Sequence, residues 1–325
     1  MEEELVRRAG LPFRAIPAGP LRGLGILEAA RNLASLPAGI VRAWGLLREF
    51  RPGAAFVTGG YVCVPVVLAA WLRRVPVLIY LPDIVPGLAV RLLSRLARRV
   101  ALSCERSLPF FPAGIREKVV VTGYPVRREF LAASNFQPPT SNLKTVIILG
   151  GSRGAHSLNV ALDSALEKLL ERYQVIHICG REDAPAAQER REGLAEEARC
   201  RYKVYPYLHE GLAGAMASAD LVLCRAGASI LGELPALGLP AVLVPYPYAG
   251  KHQVENARYL AEGGAAIVIE DAELEDKIWP VLTELLEDEQ KLSEMSRRAR
   301  ALARPEAARE IASELVALAK TDATH

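Results

Sequence analysis

Short apolar runs alternate with stretches of helical period along most of this chain. Runs rich in Val, Ile and Leu, bounded by turn residues, predict buried strands. The predicted strands lie near residues 54–58, 76–81, 99–103, 118–122, 145–149, 174–179, 203–207, 220–224, 240–245 and 266–270. Because helices of about 10–15 residues separate them, the pattern indicates βαβ units and parallel sheets.

A stretch without periodicity predicts a boundary between two domains. Residues 131–144 combine a Pro-Pro pair with small polar residues, which is typical of a linker. A chain of 325 residues also exceeds one typical domain. We expect two Rossmann-like domains and a C-terminal helical stretch that packs back on the first of them, with the bounds 1–135, 140–304 and 305–325.

Two of the predicted strands run directly into glycine-rich helix starts. The strand near 145–149 is followed by GGSRGA (150–155), and the strand near 220–224 is followed by RAGASILGE (225–233). Glycine lets the backbone turn sharply beside a ligand, and a helix N-terminus attracts anions. Each segment alone is also compatible with an ordinary βα turn. If the two strands are neighbours, both turns open onto one crevice and form a cradle for a diphosphate.

Composition and charge narrow the class of protein. The chain is 51% apolar and 24% charged, with a formal charge of +3. This charge is too small to indicate a nucleic-acid partner, although Arg predominates over acids in the first half, which suits an anionic membrane surface. No apolar run is long enough to span a bilayer, and the start lacks the apolar segment of a signal peptide. We expect a soluble or peripheral protein.

The cysteines indicate a reducing compartment. They lie far apart and lack the C-x-x-C spacing of a metal or redox pair. We interpret them as reduced core residues of a cytoplasmic protein. They are Cys63, Cys104, Cys179, Cys200 and Cys224.

Four segments resemble the MurG family of glycosyltransferases. They are GGYVCVPVVLAAW (59–71), TGYPVRREF (122–130), LGGSRGAHSLN (149–159) and CRAGASILGELPALGLPAVLVPYPYAGKHQVENA (224–257), of which the last is the most specific. The resemblance covers nearly the whole chain, but it begins after the family's first strand and its glycine-rich, histidine-containing loop. We expect that the sequence either starts late or has lost this element.

The resemblance implies an α/β protein of GT-B fold, with two Rossmann-like domains whose parallel sheets face each other across a cleft. It implies a bacterial hexosyltransferase that moves N-acetylglucosamine from UDP-N-acetylglucosamine to lipid I (undecaprenyl-diphospho-N-acetylmuramoyl-pentapeptide), giving lipid II for peptidoglycan. The C-terminal domain would hold the donor. The N-terminal domain would hold the lipid-linked acceptor, and the enzyme would be peripheral on the cytoplasmic face of the cell membrane. No cofactor is implied.

Several residues receive roles from the resemblance. Ser152 and Arg127 would contact the donor diphosphate, and Glu233 would accept hydrogen bonds from the ribose hydroxyls. A helix N-cap for Ser152, a surface ion pair for Arg127 and a solvated helix position for Glu233 remain open alternatives. Gln253, with His252 before it, would read the sugar hydroxyls, because an amide offers both a donor and an acceptor.

Other matched positions act mainly through the backbone or through packing. Four consecutive residues would lie beside the diphosphate and the sugar, namely Ala228, Ser229, Ile230 and Leu231. Leu208 would pack near the uracil ring, and a core position is the equally good alternative. Asn256 is expected to cap or brace its helix.

The chain departs from the family at Tyr80-Leu81-Pro82-Asp83, where the family has a His-Glu-Gln-Asn run. Asp83 is the candidate catalytic base or a weaker sugar contact. No D-x-D pair occurs in the sequence, so we expect inverting transfer without a metal at the donor phosphates. The alternatives are a UDP-sugar-binding protein without intact acceptor chemistry, a glycolipid synthase and a UDP-sugar epimerase on the same fold.

Residues 21–51 carry the membrane prediction. They intersperse Leu, Ile, Val and Trp with five arginines, and a basic, apolar helix can lie on anionic lipid. The alternative is an amphipathic helix with its apolar side in the core and its arginines in water.

Overall fold

Four parallel strands form the sheet of the N-terminal half. The structure is a computed structural model that describes residues 2–19, 26–134, 143–150, 156–208, 211–248 and 251–322. The strands of this sheet pair in chain order and are β1 (Ala55–Val57), β2 (Val77–Leu81), β3 (Arg99–Leu102) and β4 (Val119–Val121).

Six parallel strands form the sheet of the C-terminal half, in the order β10-β9-β8-β5-β6-β7. They are β5 (Thr145–Leu149), β6 (Gln174–Ile178), β7 (Tyr202–Tyr205), β8 (Leu221–Arg225), β9 (Ala241–Val244) and β10 (Ala266–Val268). The predicted strands therefore all form, and the predicted α/β class with two parallel sheets is confirmed. Parallel strands are covered on both faces, which explains why each was readable as an apolar run.

The helices cover both sheets. In the N-terminal half they are α1 (Glu2–Arg8), α2 (Ile26–Phe50), α3 (Cys63–Leu72), α4 (Leu88–Leu93), α5 (Ala113–Arg116) and α6 (Arg128–Ala133). In the C-terminal half they are α7 (His156–Arg172), α8 (Ala184–Gly193), α9 (Glu196–Arg201), α10 (Leu212–Ala217), α11 (Ile230–Leu237), α12 (Lys251–Glu262), α13 (Leu274–Glu287), α14 (Glu289–Ala301) and α15 (Ala307–Asp322). Two 3₁₀ turns span Glu105–Phe110 and Asp271–Glu273.

The two faces of the second sheet build separate apolar cores. On one face, Val146 and Ile148 of β5 pack with α7 and α13. On the other face, Ile147 packs with α11 and α12, and this second cluster also contains Ile84 and Phe130 from the N-terminal half. The two halves of the chain therefore share apolar packing at their junction.

The last helix packs on the first sheet. Ile311 and Leu318 of α15 join Leu78, Tyr80 and Ala101 of β2 and β3 in one buried cluster. The predicted boundary at 135–140 lies outside the described residues, so the domain limits stay a prediction.

The cysteine interpretation is wrong for one residue. Four cysteines are buried and free, but Cys200 is exposed. It lies on α9, whose six residues, EEARCR, contain no buried position. Ala198 is the apolar residue of this short helix that packs against the core, and Cys200, two residues later, lies on a different face of the helix.

Candidate active site

The strands that precede the two glycine-rich segments end side by side at the carboxyl end of the second sheet. Strands β5 and β8 are direct neighbours, with Leu149 opposite Cys224. The adjacency required for a shared crevice is therefore present. Ser152 lies in residues 151–155, outside the described residues, so its predicted contact with a diphosphate stays a prediction.

The turn after β8 leads into α11 through a tight set of backbone hydrogen bonds. The amides of Ile230 and Leu231 donate to the carbonyls of Gly227 and Ala228 at 3.2 and 3.1 Å. Ala228 and Ser229 are partly exposed, whereas Ile230 and Leu231 are buried. Because the first amides of a helix lack intrahelical partners, Ala228 and Ser229 supply the backbone donors of this turn, and the side chains of Ile230 and Leu231 belong to the core.

Glu233 and Arg127 lie together although they come from opposite halves of the chain. Arg127 Nη2 donates to Glu233 Oε1 at 3.2 Å. The Glu233 side chain is only 13% exposed, and burial is the main cause that raises the pKa of this carboxyl, while the charge of Arg127 and a hydrogen bond from Ser229 oppose the rise. The solvated position considered for Glu233 is therefore not what the structure has.

Arg127 is also held by its own neighbours on α6. It pairs with Glu129 at 2.8 Å, and its guanidinium lies 4.7 Å from the centre of the Phe130 ring. The side chain is half exposed. The ion pair considered as the alternative for Arg127 is present, and one of its two partners is the predicted ribose-binding carboxylate.

His252 and Gln253 lie on the first turn of α12, and both are partly buried. The Nδ1 atom of His252 lies 2.9 Å from the Val85 carbonyl oxygen, so this nitrogen carries the proton because a carbonyl only accepts. Gln253 Oε1 accepts from the Tyr246 amide at 2.8 Å. This bond orients the Gln253 amide group, so its NH₂ group is the part available to a ligand.

Leu208 follows β7 and therefore also lies at the carboxyl end of the second sheet. It is partly buried and packs against the apolar cluster that contains α11 and α12. Leu208 therefore has the core contacts of the alternative interpretation, and its contact with uracil stays a prediction.

Asp83 follows β2 and reaches across to the C-terminal half. Its Oδ1 accepts from Asn256 Nδ2 at 2.8 Å. Tyr80, three residues earlier, is 3% exposed and packs under α15, with its hydroxyl 2.7 Å from Ser103 Oγ. Two residues of the segment that departs from the family pattern therefore differ in place. Tyr80 is a core residue, and Asp83 lies at the junction of the two halves.

Arg225, the last residue of β8, was not singled out by sequence reasoning. Its side chain is 8% exposed, pairs with Asp271 at 2.5 Å and donates to Ser157 Oγ at 2.5 Å. It also lies 5.3 Å from the centre of the Tyr246 ring. The available signal was a charged residue at the end of an apolar strand and directly before a glycine turn. Arg225 thus joins the first turn of α7 to the strand end beside it.

A buried polar network lies under the start of α7. His177 on β6 is 1% exposed, with Nδ1 2.7 Å from the Tyr202 hydroxyl and Nε2 2.8 Å from Asn159 Oδ1. Asn159 on α7 also donates to the Cys179 carbonyl at 2.9 Å. Burial lowers the pKa of His177 to about 4, so this imidazole is neutral at physiological pH.

Sequence comparison decides the family. The model of the glycosyltransferase family 28 C-terminal domain matches residues 145–314, and that of the N-terminal domain matches residues 1–102. A UDP-N-acetylglucosamine--N-acetylmuramyl-(pentapeptide) pyrophosphoryl-undecaprenol N-acetylglucosamine transferase from Roseiflexus sp. (strain RS-1) is 44% identical over 96% of this chain and 80% of the relative. The chain belongs to the MurG glycosyltransferases of family 28.

Solved structures agree with this assignment. MurG from Acinetobacter baumannii superimposes with a TM-score of 0.74 at 29% identity, covering 97% of this chain and 87% of that one. The resemblance inferred from the sequence, the GT-B fold and the hexosyltransferase class are confirmed. A UDP-GlcNAc 2-epimerase from Neisseria meningitidis bound to UDP-GlcNAc has a TM-score of 0.63 at 14% identity, over 97% of this chain and 88% of that one. This second likeness extends to the fold alone.

In the parts of the chain that the structure describes, no group of three or more His, Cys, Asp or Glu side chains is placed to hold a metal ion.

Proposed function

We propose that this chain transfers N-acetylglucosamine from UDP-N-acetylglucosamine to undecaprenyl-diphospho-N-acetylmuramoyl-pentapeptide. The names of the family relatives state this reaction for those proteins. The observation that carries the proposal is the adjacency of β5 and β8, whose carboxyl ends lie side by side and which are followed along the chain by α7 and α11. Glu233 and Gln253 lie on the helices that follow β8 and β9, so the proposed donor-binding groups surround the carboxyl end of this sheet.

Each donor group has a proposed contact, which for Ser152 rests on the family resemblance and for the others also on their positions. Ser152 and Arg127 contact the diphosphate, together with the backbone amides at the start of α11. Glu233 accepts from the ribose hydroxyls, and Leu208 packs beside the uracil. Gln253 donates its NH₂ group to a sugar hydroxyl, and His252 lies beside it on the same turn.

The proposed reaction is an inverting displacement. An acceptor hydroxyl attacks the anomeric carbon on the face opposite UDP, a new carbon–oxygen bond forms, and the bond to the β-phosphate oxygen breaks with its electron pair leaving on UDP. The negative charge that builds on this oxygen is stabilised by Arg127 and the helix starts. Asp83 accepts the hydroxyl proton as general base.

The N-terminal half supplies a surface for the lipid-linked acceptor. Val41 on α2 is 72% exposed, and Trp71 and Leu72 on α3 are each 54% exposed. Arg73 lies 5.0 Å from the centre of the Trp44 ring, so a cation borders this apolar surface. No helix within the described residues is long and apolar enough to cross a membrane. These observations support peripheral binding to anionic lipid, which we assign to the cytoplasmic face.

The alternative for residues 21–51 is an amphipathic helix with its apolar side in the core, and the described part of α2 fits it only in part. Gly39 and Ala43 of α2 are buried, as an amphipathic core helix requires, but Val41 and Trp44 are exposed. An apolar side chain in water gains by entering an interface, so the described part of α2 supports the membrane proposal.

A transfer assay with radiolabelled UDP-N-acetylglucosamine and a lipid I analogue, in chelator, tests the function. We expect label in the lipid fraction with inverted anomeric configuration. Calorimetric binding of the donor without transfer would favour the binding protein, and conversion of the donor to its 2-epimer would favour the epimerase. Transfer to a different glycolipid with none to lipid I would favour the glycolipid synthase.

A further inference from the structure

Asn256 on α12 uses its whole side-chain amide in hydrogen bonds that join the two halves of the chain. The residue is 0% exposed. Its Oδ1 accepts from the Ile84 amide at 3.1 Å, and its Nδ2 donates to Asp83 Oδ1 at 2.8 Å and to the Ala226 carbonyl at 3.1 Å. An amide nitrogen has two hydrogens, so both are engaged and none remains for a sugar hydroxyl.

The partners of Asn256 lie at the ends of two strands in different sheets. Asp83 and Ile84 follow β2, whereas Ala226 follows β8 directly. Asn256 is expected from the sequence to cap or brace its helix. It braces the helix, because its three bonding partners all lie outside α12. A single buried side chain holds a loop of the N-terminal half against the strand end that carries the donor turn.

A second contact extends this attachment along α12. His252 lies four residues before Asn256, and residues at this spacing share one face of a helix. Its Nδ1 donates to the Val85 carbonyl at 2.9 Å. Ile84, which lies between Asp83 and Val85 in the sequence, is fully buried in the apolar cluster that contains α11 and α12. Residues 83–85 therefore lie as a strip along the same helix face that carries the proposed sugar contacts.

We propose that Asn256 is a positioning residue that clasps residues 83–85 to α12, thereby fixing the Asp83 carboxylate beside the donor site. The inference rests on the proposed function, because Asp83 is its candidate base. The clasp depends on complementarity, since a carboxylate at 83 needs a donor at 256. Replacing that donor by a second carboxylate oxygen makes two like charges face each other in a buried place.

Exchange of the two side chains tests the clasp. Asn256→Asp puts a carboxylate against Asp83, and we expect UDP-N-acetylglucosamine affinity by calorimetry and kcat each to fall at least about tenfold. The double variant Asp83→Asn/Asn256→Asp restores an amide donor facing a carboxylate, while the Ala226 carbonyl still lacks its donor, so donor affinity should recover in part. Its kcat should stay low because the base is gone. Arg258→Gln, on the exposed side of the same helix, is the control and should behave like the unmodified chain.

The single variant Asp83→Asn separates attachment from chemistry. Its amide oxygen still accepts from Asn256, so we expect unchanged donor affinity and KM for UDP-N-acetylglucosamine with a reduced kcat. Equal donor affinity in Asn256→Asp and the unmodified chain would overturn the clasp, and so would a double variant that binds no better than Asn256→Asp. If Asn256→Asp does not fold, a folded, donor-binding double variant supports the clasp, and its absence overturns it.

Failure of the proposed function gives a different result. If the unmodified chain binds the donor but transfers nothing to the lipid analogue, the transfer proposal fails while the calorimetric comparison still decides the clasp. If the unmodified chain transfers sugar but the exchange shows no recovery, the clasp alone fails.

Discussion

Arg127 and Glu233, one from each half of the chain, form an ion pair with Nη2 and Oε1 3.2 Å apart. In the proposed reaction these two residues serve adjacent parts of one ligand, the diphosphate and the ribose. When the ribose hydroxyls donate to Glu233, they compete with Arg127 for the carboxylate, and the guanidinium then becomes available to the phosphates. The pair therefore keeps both groups in place at the junction before the donor arrives.

Arg127→Met should lower kcat by about a hundredfold, because a guanidinium that neutralises a departing phosphate acts mainly in the transition state. The measurement is steady-state transfer with donor concentration varied. Arg128→Met, at the exposed neighbouring position, is the matched control and should retain normal kinetics. Equal kcat values for the two variants would remove Arg127 from the proposed mechanism.

The pH dependence of donor binding should follow Glu233. Burial raises the pKa of this carboxyl above its ordinary value of 4.5, and protonation removes the charge that accepts the ribose hydrogen bonds. Donor affinity should therefore fall as pH decreases toward this raised pKa, starting at a higher pH than an ordinary glutamate would produce. Glu233→Gln should bind roughly tenfold more weakly at pH 7 and lose this dependence.

Glu129→Gln is the control for that measurement. Glu129 also pairs with Arg127, at 2.8 Å, but is far more exposed than Glu233, so its variant should keep the pH dependence. A calorimetric pH series that is identical for Glu233→Gln and the unmodified chain would contradict the assignment of the ribose to Glu233.

Arg225→Met should destabilise the protein by about 3–5 kcal/mol, because it leaves the Asp271 carboxylate without its buried partner. Ser157 in the first turn of α7 also loses the hydrogen bond that Arg225 donates to it, so donor affinity should fall. Chemical denaturation gives the free energy of unfolding. In a double-mutant cycle, adding Asp271→Asn should cost less than it does alone, since the orphaned charge is then removed. Additive losses would show that the two residues do not depend on each other.

The sequence predicted those parts of the fold that depend on local periodicity. Strands such as β5 and β8 are buried on both faces, so their apolar runs are continuous, and the glycine turns follow them directly. Asn256 could not be read in the same way, because its partners Asp83 and Ile84 lie 173 and 172 residues away. A polar residue on an amphipathic helix predicts a solvent-facing or capping position unless its distant partners are known.

Arg225 and Cys200 illustrate the same limit in opposite directions. Arg225 is buried because Asp271, supplied by a later 3₁₀ turn, neutralises its charge. Cys200 is exposed because α9 packs on the core through Ala198, and residues two apart do not share a helix face. Residue type suggested the reverse in each case, and only the placement of neighbours remote in sequence decides it.

His177 should make stability fall in mild acid. Burial lowers its pKa from 6.5 to about 4, so the unfolded chain binds a proton more readily than the folded chain between these values. The stability that the neutral imidazole provides is fully present above pH 6.5 and is lost as the pH falls through about 4. The loss amounts to about 3 kcal/mol. Denaturation at several pH values measures it.

His177→Gln should flatten this slope, whatever its effect on stability at pH 7. His156→Gln is the matched control, because His156 lies at the start of α7, above the network that contains His177, with 79% of its side chain exposed. Its pH slope should equal that of the unmodified chain. If His177→Gln kept the full slope, the acid sensitivity would have to come from other groups.

Membrane binding should depend on the exposed apolar surface of α2 and α3. Val41→Glu removes an apolar group from the proposed lipid contact and adds a charge of the same sign as the lipid, so binding to anionic vesicles should fall at least about tenfold. Val316→Glu makes the same chemical change at a valine that is 52% exposed on α15. Because α15 packs on Leu78, Tyr80 and Ala101 of the first sheet and is not part of the proposed lipid contact, this variant should bind normally. Co-sedimentation with vesicles containing anionic lipid, at low and high salt, measures both. Because Arg73 borders the patch, high salt should weaken binding of the unmodified chain. Equal losses in the two valine variants would mean that binding follows net charge alone, and the surface of α2 and α3 would then have no special role.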